Sequence, residues 1–228
     1  MKTQLSMRIY FVDFFLVVFL LLDHVQAQPT AGKDKGNLFF LQSGVMAGRN
    51  VANYSTFPDS KWRKGISLDF GLEAVDTGKN YSAYYNYPQY GISLTMTQLG
   101  NNSELGQELS ITPFFAYNPF RNHQKGLYFR IGLGLSYFTR FYDSETNPAN
   151  EAVGSSFTWA FHGIISKPLL SVPHFSLNLN LAYYHASNGH TQLPNFGLNA
   201  AMLGMSCRFL YGQKIADTPS RPETDVAG

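Results

Sequence analysis

Apolar and polar residues alternate with period two along most of the chain, the spacing of β-strands that bury one face only. Leu127, Phe129, Ile131, Leu133, Leu135 and Tyr137 oppose Tyr128, Arg130, Gly132, Gly134 and Ser136. Ile66, Leu68, Phe70, Leu72 and Ala74 oppose Ser67, Asp69, Gly71 and Glu73. Ile92, Leu94 and Met96 alternate with Ser93, Thr95 and Thr97, and Phe157, Trp159 and Phe161 alternate with Ser156, Thr158, Ala160 and His162. Leu38 to Gly48 and Glu108 to Tyr117 are weaker strand candidates. Two more strands flank the loop after Ser187: Leu177, Leu179, Leu181 and Tyr183 oppose Ser176, Asn178 and Asn180, and Leu203, Met205, Cys207, Phe209 and Tyr211 share a face. The total is eight, an even number and the smallest common membrane barrel. Most runs approach the roughly 9–11 residues that a tilted strand needs to cross a bilayer.

A soluble β-sandwich would alternate in the same way, so the polar face decides. Facing bulk water it would collect Lys and Glu. Here it carries Ser, Thr, Gly and Asn with a few charges of both signs: Asp69, Glu73, Glu108, Arg130 and Arg208. Small groups with balanced charge suit a narrow, filled lumen, where glycines let side chains from opposite walls fit. The expected fold is an all-β, eight-stranded, antiparallel up-and-down transmembrane β-barrel. Composition agrees: charged residues are 14% and aromatics 15%, with 14 Tyr and 19 Phe for interfacial girdles. The net charge of +2 gives no footprint for nucleic acid. The single cysteine, Cys207, excludes an internal disulfide and reads as a small apolar strand residue.

The ends divide the chain further. Lys2 and Arg8, the apolar run from Ile9 to Leu22 and Val25-Gln26-Ala27 read as a secretory signal over residues 1–27. The barrel then spans 28–211, and the polar stretch 212–228 reads as a disordered tail. Downstream of the signal no apolar run reaches the length of a membrane helix. A barrel in the outer membrane is therefore expected, and a soluble secreted β-protein is the alternative. An even strand count puts both termini in the periplasm and the loop after the seventh strand near the outer leaflet.

That loop holds the candidate chemistry. Extending the parity of the seventh strand puts His185 and Ser187 on its apolar face, and extending the eighth backward puts Asn199 on the same face. A hydroxyl, an imidazole and an orienting amide gathered on a greasy surface suggest a nucleophile, its base and a positioning group. On spacing alone, a polar hairpin tip built on Asn188-Gly189 explains the motif as well. His185-x-Ser187-Asn188 followed by Pro194-Asn195-x-Gly197 resembles the signature of the lipid A deacylases, acyloxyacyl hydrolases of the bacterial outer membrane. Tyr85-Asn86-Tyr87-Pro88-Gln89-Tyr90-Gly91 and Asn147-Pro148-x-Asn150-x-Ala152-x-Gly154-Ser155 resemble further segments of that family.

The resemblance implies a serine esterase that removes an ester-linked acyl chain from lipid A, with Ser187 as nucleophile and His185 as base. It implies Asn188, Gly189 and Asn195 as donors to the oxyanion. The family has Glu where this chain has Asn199. A neutral amide can orient an imidazole but does not steady the imidazolium, so a slow enzyme or an impaired relative is an alternative. Glu151 is a second carboxylate that the fold could bring near. A non-catalytic small barrel, structural or adhesive, is the other alternative.

The expected partners are lipid A of lipopolysaccharide and outer-membrane lipids, with a homodimer left open, and no cofactor is expected. His123, His162, His174 and His190 show no metal-ligand spacing, and Gly132-x-Gly134 lies mid-strand rather than at a nucleotide-binding turn. Tyr81, Tyr84, Tyr85, Tyr87 and Tyr90 read as an aromatic belt. Lys61, Arg63 and Lys64 read as a solvated turn, with contact to lipid phosphates as the sharper alternative.

Overall fold

A computed structural model describes residues 38–74, 88–120 and 126–212. The expected signal segment, the tail beyond Gly212, His123 and the tyrosines from Tyr81 to Tyr87 lie outside these residues. The described chain forms eight strands: β1 (Leu38–Val51), β2 (Arg63–Glu73), β3 (Gln89–Gln98), β4 (Gln107–Tyr117), β5 (Tyr128–Phe138), β6 (Phe157–Val172), β7 (Phe175–Ser187) and β8 (Leu198–Tyr211). Each pairs antiparallel with its neighbour in sequence, and β1 pairs with β8 to close the barrel. Closure leaves no unpaired edge, which is the condition for a sheet to stand in hydrocarbon.

The alternation points the way a membrane requires. On β5, Ile131 and Leu133 are 57% and 60% exposed while Ser136 is 1% exposed. On β2, Asp69 is 1% exposed and Phe70 faces out. Apolar side chains therefore cover the outside and polar ones fill the lumen. Inside, Asp69 accepts from Arg130 Nη1 (2.7 Å), Gln42 Nε2 (2.9 Å) and Ser93 Oγ (2.6 Å), tying β1, β2, β3 and β5 together. Arg63 pairs with Glu108, whose other oxygen accepts from Ser136 Oγ at 2.6 Å. Two acids and two guanidiniums are thus buried as pairs rather than as isolated charges, which would be far more costly.

Parity also corrects one sequence reading. Arg63 starts β2 on the inward face and is 2% exposed, so it is a lumen residue rather than part of a solvated turn. Lys61 and Lys64 are exposed. Gly132 faces His162: a Cβ there would come within 2.2 Å of the imidazole Nε2. The glycine is what lets this histidine lie across the lumen. β6 runs to Val172, ten residues past the alternating stretch, with a register shift at Pro168/Leu170. Proline has no N–H for the ladder, so the pattern breaks there without ending the strand.

The start of β1 and the end of β8 lie at one end, with the two-residue β6–β7 turn. In outer-membrane barrels this is the periplasmic end. At the other end, the loops 52–62, 99–106, 139–156 and 188–197 pack into a small core. Leu99, Leu105, Ala152 and Val153 meet Phe138, Ala186 and Leu198 there, with Tyr54 and Phe57 alongside.

Candidate active site

β7 and β8 pair so that His185 stands directly opposite Asn199. His185, Ser187 and Asn199 are half-buried, between inward-facing neighbours that are fully buried, so all three lie on the lipid side. His185 Nδ1 is 2.7 Å from Asn199 Oδ1. The amide oxygen also accepts from the Tyr183 hydroxyl at 2.7 Å. An oxygen with two lone pairs thus takes two donors, and the imidazole proton sits on Nδ1. That leaves Nε2 with its lone pair free, the form a general base needs.

Ser187 ends β7, opposite Trp159 of β6. Its Oγ accepts from Asn195 Nδ2 (2.8 Å) and from the Gly189 N–H (3.2 Å). Both acceptor lone pairs are then occupied, and the hydroxyl proton is left to donate. No hydrogen bond joins Ser187 to His185 among the described residues; such contacts are often loose until substrate binds. Asn195 is oriented by its own oxygen, which accepts the Asn188 N–H at 3.4 Å. The Asn188 side chain behaves differently from the other expected donors. Its amide reaches Ser155 Oγ (3.2 Å) and the Gln192 carbonyl (2.8 Å), so it holds the loop together.

Loops from across the rim splint this loop. Phe196 N–H and Gly197 N–H donate to the carbonyls of Glu151 (2.9 Å) and Ala152 (3.0 Å). Asn53 Nδ2 donates to the Phe196 carbonyl at 2.6 Å. Gly197 has φ +83° and lies against the imidazole; an added Cβ would be 3.0 Å from His185 Cε1. Gly154 passes so close that a Cβ would fall 2.4 Å from the Pro194 carbonyl oxygen. Asn147 and Asn150 both donate to the Glu104 carbonyl, at 2.9 and 2.8 Å. The Asn147–Ser155 segment is therefore the buttress of the loop after Ser187. The Glu151 carboxylate accepts from Thr56 Oγ1 at 3.0 Å and forms no ion pair with His185 among the described residues. Burial, reinforced by that carboxylate, pushes the Tyr54 hydroxyl up to about 12. Tyr54 therefore stays neutral and packs against Phe57 and Phe196, with ring centroids 5.3 and 4.9 Å away.

Around Ser187 the surface is apolar: Phe157, Trp159, Leu193 and Phe196 are all more than half exposed. The polar cluster therefore opens toward acyl chains rather than toward the lumen. Tyr183 is a site residue that sequence reasoning placed only on the apolar face; its parity was visible, its bond to Asn199 was not. Among the described residues no group of His, Cys, Asp or Glu is arranged to hold a metal ion.

A closed, eight-stranded antiparallel barrel with its apolar side chains outside is an outer-membrane β-barrel protein. The family model of the lipid A 3-O-deacylases (PagL) matches residues 65–208, and the chain belongs to that family. Among solved structures it is similar to the outer membrane enzyme PagL, with 15% identity and a TM-score of 0.48 over 72% of this chain and 97% of that one. It is also similar to Neisserial surface protein A, with 13% identity and a TM-score of 0.48 over 76% and 97%. The outer membrane protein OprG from Pseudomonas aeruginosa matches with 12% identity and a TM-score of 0.37 over 78% and 97%. No curated protein matches significantly.

Proposed function

We propose that this barrel is a serine esterase that hydrolyses an acyl ester of lipid A, the 3-O-linked chain for which its family is named. The observation that carries the reading is the in-register pair of His185 and Asn199 at 2.7 Å, with Ser187 two residues along the same lipid face. Asn199 holds Nδ1, so Nε2 takes the Ser187 proton as Oγ adds to the ester carbonyl. The developing oxyanion is two bonds from Oγ, within reach of Asn195 Nδ2 and the Gly189 N–H, which already converge on that hydroxyl. His185 then protonates the leaving sugar oxygen, and water attacks the acyl-serine with His185 again as base. An active centre on the barrel wall needs no extraction of its substrate, because the lipid's ester already lies in the same leaflet.

The test is Ser187→Ala in purified, folded barrel incubated with lipopolysaccharide, with lipid A followed by mass spectrometry. Wild type should release one acyl chain and the variant none; unchanged release by the variant excludes Ser187 as nucleophile. Asn199 favours a second reading, an impaired relative that binds lipid A without turning it over. In that case neither form releases the chain.

A further inference from the structure

The outer rim of β1, β2 and β3 carries cations that the ester chemistry does not use. Arg49 projects outward from β1 and is exposed. Its Nη1 donates to the Ser60 carbonyl at 3.2 Å and its guanidinium stacks 5.1 Å from the centre of the Trp62 ring. Trp62 is itself 56% exposed. Lys61 and Lys64 are exposed beside it, and the Lys61 N–H is held by the Gly100 carbonyl at 2.9 Å. Among the described residues no carboxylate pairs with Arg49, Lys61 or Lys64. A hollow of about 780 Å³ lies between Lys61, Trp62 and Lys64 and the β3–β4 loop, with Asp59 and Asn101 also in its lining. Lys61 and Lys64 against the one carboxylate of Asp59 leave its lining net positive, and Arg49 lies next to it over the Trp62 ring.

Its position relative to the ester site follows from register. Val51 of β1 pairs with Asn199, which pairs with His185. Arg49 is two residues from Val51 on the same outward face. Arg49 is thus in register with Ala201 and Tyr183, about two strand spacings from β7 and four residues before Ser187, which is roughly 12 Å from His185 and roughly 16 Å from Ser187. Unpaired cations at the outer-leaflet rim, on the face that presents the nucleophile, match a substrate with an ester and an anionic head in one plane.

We propose that Arg49, Lys61 and Lys64, with Trp62 as a platform that fixes the guanidinium, form a subsite for a phosphate of the lipid A head group. This rests on the esterase reading for its substrate. The subsite holds the head group so that the acyl ester falls at Ser187. Arg49 is its anchor because a fixed guanidinium can take a phosphate through two parallel N–H bonds.

The test separates binding from turnover. Ser187→Ala barrel in neutral detergent is titrated with micelles containing phosphorylated lipid A, fully dephosphorylated lipid A, or phosphatidylglycerol. Phosphorylated lipid A should bind tightest. Arg49→Gln and Lys64→Gln should each weaken it about fivefold, as expected for one cation near an anionic head group, and together remove the preference over the dephosphorylated form. Lys167→Gln, an exposed cation on β6 at the other end of the barrel, should change nothing. In the active barrel Arg49→Gln should raise KM and leave kcat unchanged. A double variant that still prefers the phosphorylated form, or phosphatidylglycerol bound as tightly as lipid A, overturns the proposal. If the wild type releases no acyl chain while the phosphate preference holds, the esterase reading fails and the subsite stands. If release is normal and indifferent to phosphate removal, the reverse is true.

Discussion

Asn199→Glu tests the electrostatics of the site directly. The side chain keeps its place opposite His185, where Nδ1 and Oδ1 are 2.7 Å apart. A carboxylate there would have its charge centre roughly 4 Å from that of an imidazolium, worth about 4 kcal/mol at an effective dielectric near 20. Part is lost because the Tyr183 hydroxyl already donates to this position and would stabilise the carboxylate before reaction as well. Taking about half leaves roughly 2 kcal/mol, about thirtyfold in rate. The barrel should tolerate the change, since acidic residues near the membrane interface cost only about 0–1 kcal/mol. The assay is acyl-chain release from lipid A in detergent micelles, with Ser187→Ala/Asn199→Glu as the inert control and heat-shifted gel mobility as the check on folding. A folded Asn199→Glu barrel no faster than wild type refutes the claim that this position acts through the charge on the imidazole.

Four further outcomes follow from the geometry. Asn195→Ala should lower kcat by about 10²–10³-fold, the usual effect of one lost oxyanion donor, in a barrel of unchanged protease resistance. Asn188→Ala should instead make the loop 188–197 cleavable by protease, because it removes the bonds to Ser155 and Gln192. Glu108→Leu strands the buried Arg63 and should cost about 3–5 kcal/mol in urea unfolding from lipid vesicles, with Arg63→Met/Glu108→Leu recovering most of it. Leu133→Arg, on the middle of the lipid face of β5, should cost about 2–4 kcal/mol in the same assay.

How far the pattern of residues reached depended on what filled the lumen. β5 was plain because its inward positions are Arg130, Gly132, Gly134 and Ser136. β1 was faint because Phe40 and Met46 also point inward, Phe40 beneath the Arg208 guanidinium at 4.3 Å and Met46 against the Tyr184 hydroxyl at 3.5 Å. Two inward apolar residues blur the contrast of faces without changing the strand. Arg63 was misplaced for a related reason: its neighbours Lys61 and Lys64 suggested a charged turn, while the parity of β2 already assigned it inward. At the site, His185, Ser187 and Asn199 were each placed on the lipid face by counting alone. Tyr183 was counted onto that face too, but its role depends on which oxygen its hydroxyl meets.

Strand number, facing and the gathering of imidazole, hydroxyl and amide on one side were decided by the sequence itself, because the pleat has a fixed period of two and water and hydrocarbon sort side chains by face. Which residue stands opposite which was decided only by the closed sheet. Register sets His185 against Asn199, and packing of the rim loops commits Asn188 to the scaffold while freeing Asn195 for Ser187. Those choices are settled by contacts between segments far apart in the chain, and no local spacing encodes them.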